Sequence, residues 1–135
     1  MDMKNYDPKK VVVTADGTYL TGFAEGTFVN CEKDEENHEV HVGAQGEISR
    51  TIRANDMGTI TVTLKSTSPS NEVMSGLAKR KKSVFPFYVR DENDTTKLVA
   101  GGSEAWVERQ APQERGGQVT NIEWTVKVSD YSQEN

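Results

Sequence analysis

Few side chains in this sequence are equipped for chemistry, and their spacing decides what each can do. Cys31, His38 and His41 are the soft metal ligands, one cysteine and two histidines in all. A structural zinc site takes four ligands in a tetrahedron, so these three do not close one by themselves. His38 and His41 stand three apart, which on an extended strand turns them to opposite sides. "GGSEA", Gly101 to Ala105, approaches the nucleophile elbow G-x-S-x-G around Ser103. Ala105 stands where the last glycine belongs, and strand-like runs lie on both sides where the motif needs a strand-to-helix turn. "GAQG", Gly43 to Gly46, is too short and isolated to cradle a phosphate. The acidic run Glu32 to Glu39 lacks the D-x-[DN]-x-[DN]-G spacing of a calcium loop. Asn93-Asp94-Thr95 has the form of a glycosylation sequon, which matters only in a secreted chain. These residues point to no catalytic site, metal or cofactor.

Lys79-Arg80-Lys81-Lys82 is the one strongly basic run. It has three readings: a solvated helix end, a nucleic-acid contact, or a patch that meets an acidic surface on a neighbouring copy, with Glu32 to Glu39 as one candidate.

The totals narrow the class. A length of 135 residues suits one domain, 1–135. Apolar residues make up 34% and charged residues 27%, so the core is thin, as in a sheet with one solvated face or an oligomer that shares burial. A formal net charge of −5 argues against a general nucleic-acid binder, whose affinity comes from neutralising phosphates. A single cysteine excludes an intramolecular disulfide. Met1 is followed by polar residues rather than an apolar signal segment, and no stretch approaches the roughly 20 apolar residues of a membrane helix. A cytosolic chain without a membrane partner is expected.

The elements that position these residues are mostly strands. Asp16-Gly17 is a tight-turn signal between Lys10–Ala15 and Thr18–Phe23. Thr27–Cys31 is strand-like. Residues 32–56 are long, polar and poor in core residues, and long loops of this kind are functional or disordered. Val40/Val42 and Ile48/Ile52 have strand spacing, so this segment reads as an extended hairpin arm. In Thr59–Lys65, Ile60, Val62 and Leu64 take one face and Thr59, Thr61, Thr63 and Lys65 the other. Ser68-Pro69 is a helix start, with Ser68 as cap and Pro69 in the first turn, and 68–82 reads as a helix carrying Val73, Met74, Leu77 and Ala78 on one face. Phe85, Phe87 and Val89 alternate, and "DENDTT" is a turn. Lys97–Ala100 and Glu104–Arg109 read as strands around a flexible "GGS", "QAPQERGGQ" as a loop, and "DYSQEN" as a polar tail. Ile122, Trp124, Val126 and Val128 alternate in a last strand. The order predicts a mainly β fold, an antiparallel sandwich or barrel with one packed α-helix and a long hairpin arm.

"DPKKVVVTADGTYLTGFAEGTFV", "GAQGEISRTIRANDMGTITVTLKSTSPSNEVMSGL" and "SEAWVERQAP" resemble, in order and over nearly the whole chain, the tail tube subunits of contractile-tailed phages and of phage-like particles such as R-type bacteriocins. The most specific piece is Gly58 to Asn71, "GTITVTLKSTSPSN". The resemblance implies a structural subunit without catalytic residues, made in the host cytoplasm and located in the virion tail. Hexameric rings stack into a hollow tube inside a sheath, and inner sheets join across subunits into one barrel. DNA and a tape-measure protein pass without specific binding, and baseplate and tail-terminator proteins are further partners. The arm, with Glu32, Glu35, Glu36, His38, Val40, Val42, Ile48, Arg50 and Arg53, would reach the adjacent ring. Thr59, Thr61, Thr63, Glu123 and Thr125 would line the lumen, where hydrated hydroxyls and like charge let DNA slide past. Lys65 and Lys127 do not suit that face unless they sit at a strand end or pair with a carboxylate across the subunit boundary. Two other classes stay open: a tube or carrier protein of a bacterial contractile injection system, and a small hydrolase using Ser103 and a histidine.

Overall fold

Apolar and polar residues alternating at period two build most of the chain. In a computed structural model that describes residues 5–93 and 97–134, a short 3-10 turn at Pro8–Lys10 leads into β1 (Val11–Ala15), β2 (Thr18–Tyr19) and β3 (Val29–Lys33). Then come β4 (His38–Val42), β5 (Ile48–Ile52), β6 (Gly58–Lys65) and the helix α1 (Ser70–Ala78). The chain finishes with β7 (Phe85–Asp91), β8 (Lys97–Val107), β9 (Asn121–Val128) and β10 (Ser132–Gln133). One sheet runs β2-β1-β7-β8-β9-β6-β3, with β10 on β8, and its pairings are antiparallel.

The long strand β8 joins two wings. Its first part pairs with β7, and Ala105–Val107 pair with β9. Val13, Phe87 and Val89 from one wing and Ile60, Val62, Leu64 and Val126 from the other are buried in one cluster, and Met74 and Leu77 of α1 belong to it. The fold is mainly β and antiparallel with a single packed helix, as the patterning predicts. Trp124 is buried at the α1 end of this core, and its indole N–H donates to Asn71 Oδ1 at 2.9 Å, which satisfies the one polar atom of that side chain.

Several local expectations are corrected. The helix is α1, Ser70–Ala78, shorter at both ends than 68–82. Pro69 occupies the cap position in helical backbone geometry, while Ser68 sits one residue earlier; its Oγ accepts from Ser70 N–H at 3.2 Å and donates to Thr21 O. Lys79 to Lys82 therefore lie beyond the last helical turn. The second strand of the first hairpin stops at Tyr19 rather than Phe23, because Gly22 takes a φ of 73° and turns the chain so that Phe23 bridges Leu64. The "GGS" is no loop: β8 runs through it, and Gly101, at φ 145°, lies so close to Phe87 and Tyr88 that a side chain there would collide. The expected strand at Glu104–Arg109 is the end of β8, which stops at Val107. Pro86 lies inside β7 at a register irregularity, where its missing N–H is tolerated. The polar tail is anchored, for Tyr131 is buried and β10 pairs with β8. Of the expected "DENDTT" turn, Asp91 is the last residue of β7, and Asp94–Thr96 lie outside the described residues, as do Met1–Lys4 of the polar lead-in.

Candidate functional site

Three surfaces remain after the core is accounted for: the arm, the outward face of β3-β6-β9, and the basic run after α1. The arm is the β4–β5 hairpin, a separate two-stranded sheet. Its tip is the "GAQG" turn, where Gly43 N–H donates to Glu47 O and Gly46 adopts φ 85°. The register pairs His38 with Ile52, Val40 with Arg50 and Val42 with Ile48, so these six share one face. Glu39, His41, Ser49 and Thr51 share the other. His38 and His41 therefore point opposite ways, and Cys31 sits apart on β3. Val40, Val42, Ile48 and Ile52 are 62%, 69%, 74% and 76% exposed. This apolar stripe has almost no cover among the described residues, and no residue of the buried core lies between Glu32 and Asp56.

Only the root of the arm is tied down. Arg53 N–H donates to Asn37 O, Lys33 Nζ donates to Asn37 Oδ1 at 2.6 Å, and Arg53 lies 3.6 Å from Glu35. Asp34 is the central staple. It accepts from Thr59 Oγ1 at 2.5 Å and from Lys127 Nζ at 3.2 Å, while Lys127 Nζ also donates to Thr59 Oγ1 at 2.8 Å. The Thr59 hydroxyl, and then the Lys127 ammonium, hold the Asp34 carboxyl below its ordinary range against the desolvation that opposes them. Glu32 is exposed on β3, and Glu36 is exposed in the link to β4.

The outward face of β3-β6-β9 follows from the register. Thr61 lies opposite both Asn30 and Thr125, Thr63 opposite Glu123, and Thr59 opposite both Glu32 and Lys127. Ile60, Val62 and Leu64 are fully buried on the reverse side. The five expected residues, Thr59, Thr61, Thr63, Glu123 and Thr125, thus share one face. It is concave: a hollow of ≈ 310 Å³ lies over Asn30, Thr61, Thr63 and Glu123, and one of ≈ 350 Å³ separates Glu123 and Thr125 from Pro112 and Glu114. Of the two awkward lysines, Lys65 ends β6, and Lys127 pairs with Asp34 of its own chain rather than with a carboxylate across a subunit boundary. Asp34 is the residue that sequence reasoning missed; the signal was an unmatched lysine on a face of hydroxyls.

In the basic run, Arg80 is paired with Asp16 at 2.9 Å, whereas Lys79, Lys81 and Lys82 make no ion pair among the described residues. Ser103 lies within β8, where its Oγ donates to Asp130 Oδ2 at 2.7 Å and its N–H to the same carboxylate. These donors and the Glu104 N–H keep the Asp130 carboxyl below its usual range. Both histidines of the chain stand on β4 instead.

A family model described as "Bacteriophage PhiTE tail tube protein" matches residues 10–130. The chain belongs to this tail tube family. No curated protein matches it. Among solved structures, this chain is similar to the anti-feeding prophage cap, described as the tube-terminating cap. The TM-score is 0.64 at 10% identity, over 99% of this chain and 93% of the other. It is also similar to the sheath/tube terminator of an extracellular contractile injection system in its extended state, with a TM-score of 0.61 at 10% identity over 98% and 99% of the two chains. At that identity the likeness is one of fold. Membership makes this chain a structural tail component of a phage or phage-like particle. No described helix is long and apolar enough to cross a membrane.

Proposed function

We propose that this chain is the repeating subunit of a tail tube. Copies close into hexameric rings, and the rings stack into a hollow conduit through which DNA passes into a host. The observation that carries this reading is the β4–β5 arm, a hairpin with an apolar stripe left bare by its own chain. A two-stranded hairpin is marginal by itself, and an exposed stripe of Val and Ile favours burial against another protein surface. The arm reaches the adjacent ring, and its root, stapled by Asp34, sets its direction.

Two further features support assembly. β3 is one edge of the main sheet, with no strand hydrogen-bonded to it on the side away from β6 among the described residues. Such an edge invites pairing with another chain unless it is blocked, and ring closure uses it. The threonine face of β6, with Thr125 and Glu123 of β9, lines the lumen. It carries hydroxyls and carboxylates; its Lys127 is neutralised by Asp34 and Lys65 stands at the end of β6, so the Thr61, Thr63 and Thr125 stretch offers a passing phosphate backbone no cation. Partners are other copies, a sheath outside, the tape-measure protein and DNA inside without specific binding, and baseplate and terminator proteins at the tube ends. The particle is assembled in the host cytoplasm. The same architecture serves a carrier tube of a contractile injection system, and cargo found in purified tubes distinguishes the two.

Deleting Glu35 to Arg50 and closing the gap with a short glycine linker tests the reading. The core lies outside this segment, so the deleted protein is expected to fold, with a far-ultraviolet spectrum still of β type and a cooperative melt, and to form no stacked tubes by electron microscopy. An unfolded deletion protein makes the arm part of the core, and continued stacking removes its role; either sinks the reading. Wild-type protein that stops at single closed rings supports a terminator instead.

A further inference from the structure

The basic run after α1 borders a groove of ≈ 640 Å³, between the end of α1 and the end of β8. Trp106, half-buried, and Val107 supply its apolar surface. Lys79, Arg80, Lys81 and Arg109 stand on its rim against the one carboxylate of Glu108. Arg80 is held by Asp16, whereas Lys79 and Lys81 make no ion pair among the described residues. The chain as a whole is acidic, at −5, so this rim opposes the surrounding charge. The backbone adds a second, independent feature. β7 pairs with β8 only as far as Ala105, opposite Phe85. Glu108 N–H donates to Thr125 O at 3.0 Å, toward β9. Successive residues of a strand send their N–H and C=O groups to opposite sides, so those of Val107 point away from β9, into the groove. No strand meets them there among the described residues, although Val107 is buried. A sheltered backbone pair of this kind calls for a hydrogen-bonding partner.

We propose that this groove binds a short, extended, acidic segment of a different protein, which adds as a strand to the free edge of β8 at Val107. Main-chain bonds to Val107 set the register of the segment, its carboxylates meet Lys79, Lys81 and Arg109, and an apolar side chain rests on Trp106. Gln110 bonds to Ser75 of α1 at the far end, so the segment admitted is short. A free strand edge recognises a polypeptide, whereas a phosphate chain would use the cations alone and meet Glu108 among them. The unpaired strands of this chain do not supply the occupant. The apolar stripe of the arm shares its face with His38 and Arg50, so seating it here would bring Arg50 to the lysines. On the edge strand β3, Glu32 is followed by Lys33, and β2 is uncharged. The inference stands apart from the role of the arm in stacking.

The test titrates the full chain with end-blocked peptides of about six residues, the usual strand length, that alternate glutamate with valine. Saturable binding is expected by calorimetry, with slowed hydrogen exchange at the Val107 amide and a shift in tryptophan fluorescence. Trp124 is buried, so that shift reports Trp106, the other tryptophan of the chain. Lys79→Glu with Lys81→Glu is expected to weaken binding by roughly tenfold or more, since like charges across an interface oppose association. A second readout does not depend on those variants. Methylating the central backbone nitrogens of the peptide removes the N–H groups that pair with β8, and binding to the unaltered protein is expected to be lost. The proposal is overturned by an absence of saturation up to about 1 mM, by binding indifferent to the lysine reversal, or by a methylated peptide that binds as well as its parent. A short oligothymidylate that binds more tightly than the peptide assigns the groove to nucleic acid and overturns it. Self-association of the chain that the peptide displaces makes the occupant a second copy and overturns it too.

Discussion

Replacing Asp34 by Asn isolates the staple between the arm and the threonine face. The shape of the side chain is kept and its charge is removed. Asp34 accepts from Thr59 and Lys127, and Lys127 retains its bond to Thr59 in the variant. The two ionised side chains are 26% and 23% exposed, so water screens the pair in part. An exposed ion pair contributes about 0–1 kcal/mol and a hydrogen bond to a charged group about 1.5–3. A cost of about 1 kcal/mol is expected, which for a domain of this size lowers Tm by roughly 3–5 °C. The pH dependence follows from linkage. The folded carboxyl is held below its ordinary 3.8, so its contribution is fully present above that value and disappears as pH falls through the lower, folded pKa. Thermal melts of both proteins, followed by circular dichroism from pH 7 down to about pH 2, should converge at the acid end. Equal Tm values at pH 7, or a gap that persists undiminished at the lowest pH where both proteins remain folded, would refute the staple.

Gly58 on β6 faces the ring of Tyr131 so closely that an added Cβ would enter it, so Gly58→Ala is expected to cost about 1–3 kcal/mol in urea unfolding, the range of overpacked sites. A change below about 0.5 kcal/mol shows that the ring has room to move. Burial pushes the Cys31 thiol up to about 11, so at pH 8 a disulfide reagent should modify it roughly a hundred times more slowly than the unfolded chain; equal rates contradict this. Thr61→Lys should change monomer stability by no more than about 0.5 kcal/mol, because the site is a half-exposed strand position, yet assembled tubes should retain DNA in a salt-sensitive manner. A tube structure with Thr61 toward the sheath ends the lumen assignment.

What was legible in the sequence is what depends on local periodicity. The buried face of Thr59–Lys65 follows from alternation alone, because a strand with apolar residues at every second position can bury only one side. The arm was legible for the complementary reason: between Glu32 and Asp56 there are too few apolar residues, at strand spacing, to join a core. Composition also excluded a disulfide, with one cysteine in the chain. The tertiary structure decided contacts between distant residues. Lys127 meets Asp34 across 93 positions, and Trp124 meets Asn71 across 53, and no local pattern encodes either. It decided that the "GGS" is strand, because β7 packs against Gly101, and Val128 and Asp130 against Gly102, at distances that admit no side chain. It also decided that "DYSQEN" is anchored, because the free edge of β8 accepts a short strand that polarity alone assigns to solvent. Periodicity tells a residue which way to face. Only the folded chain determines what it faces, because pairing across a sheet is fixed by the register of segments far apart in sequence.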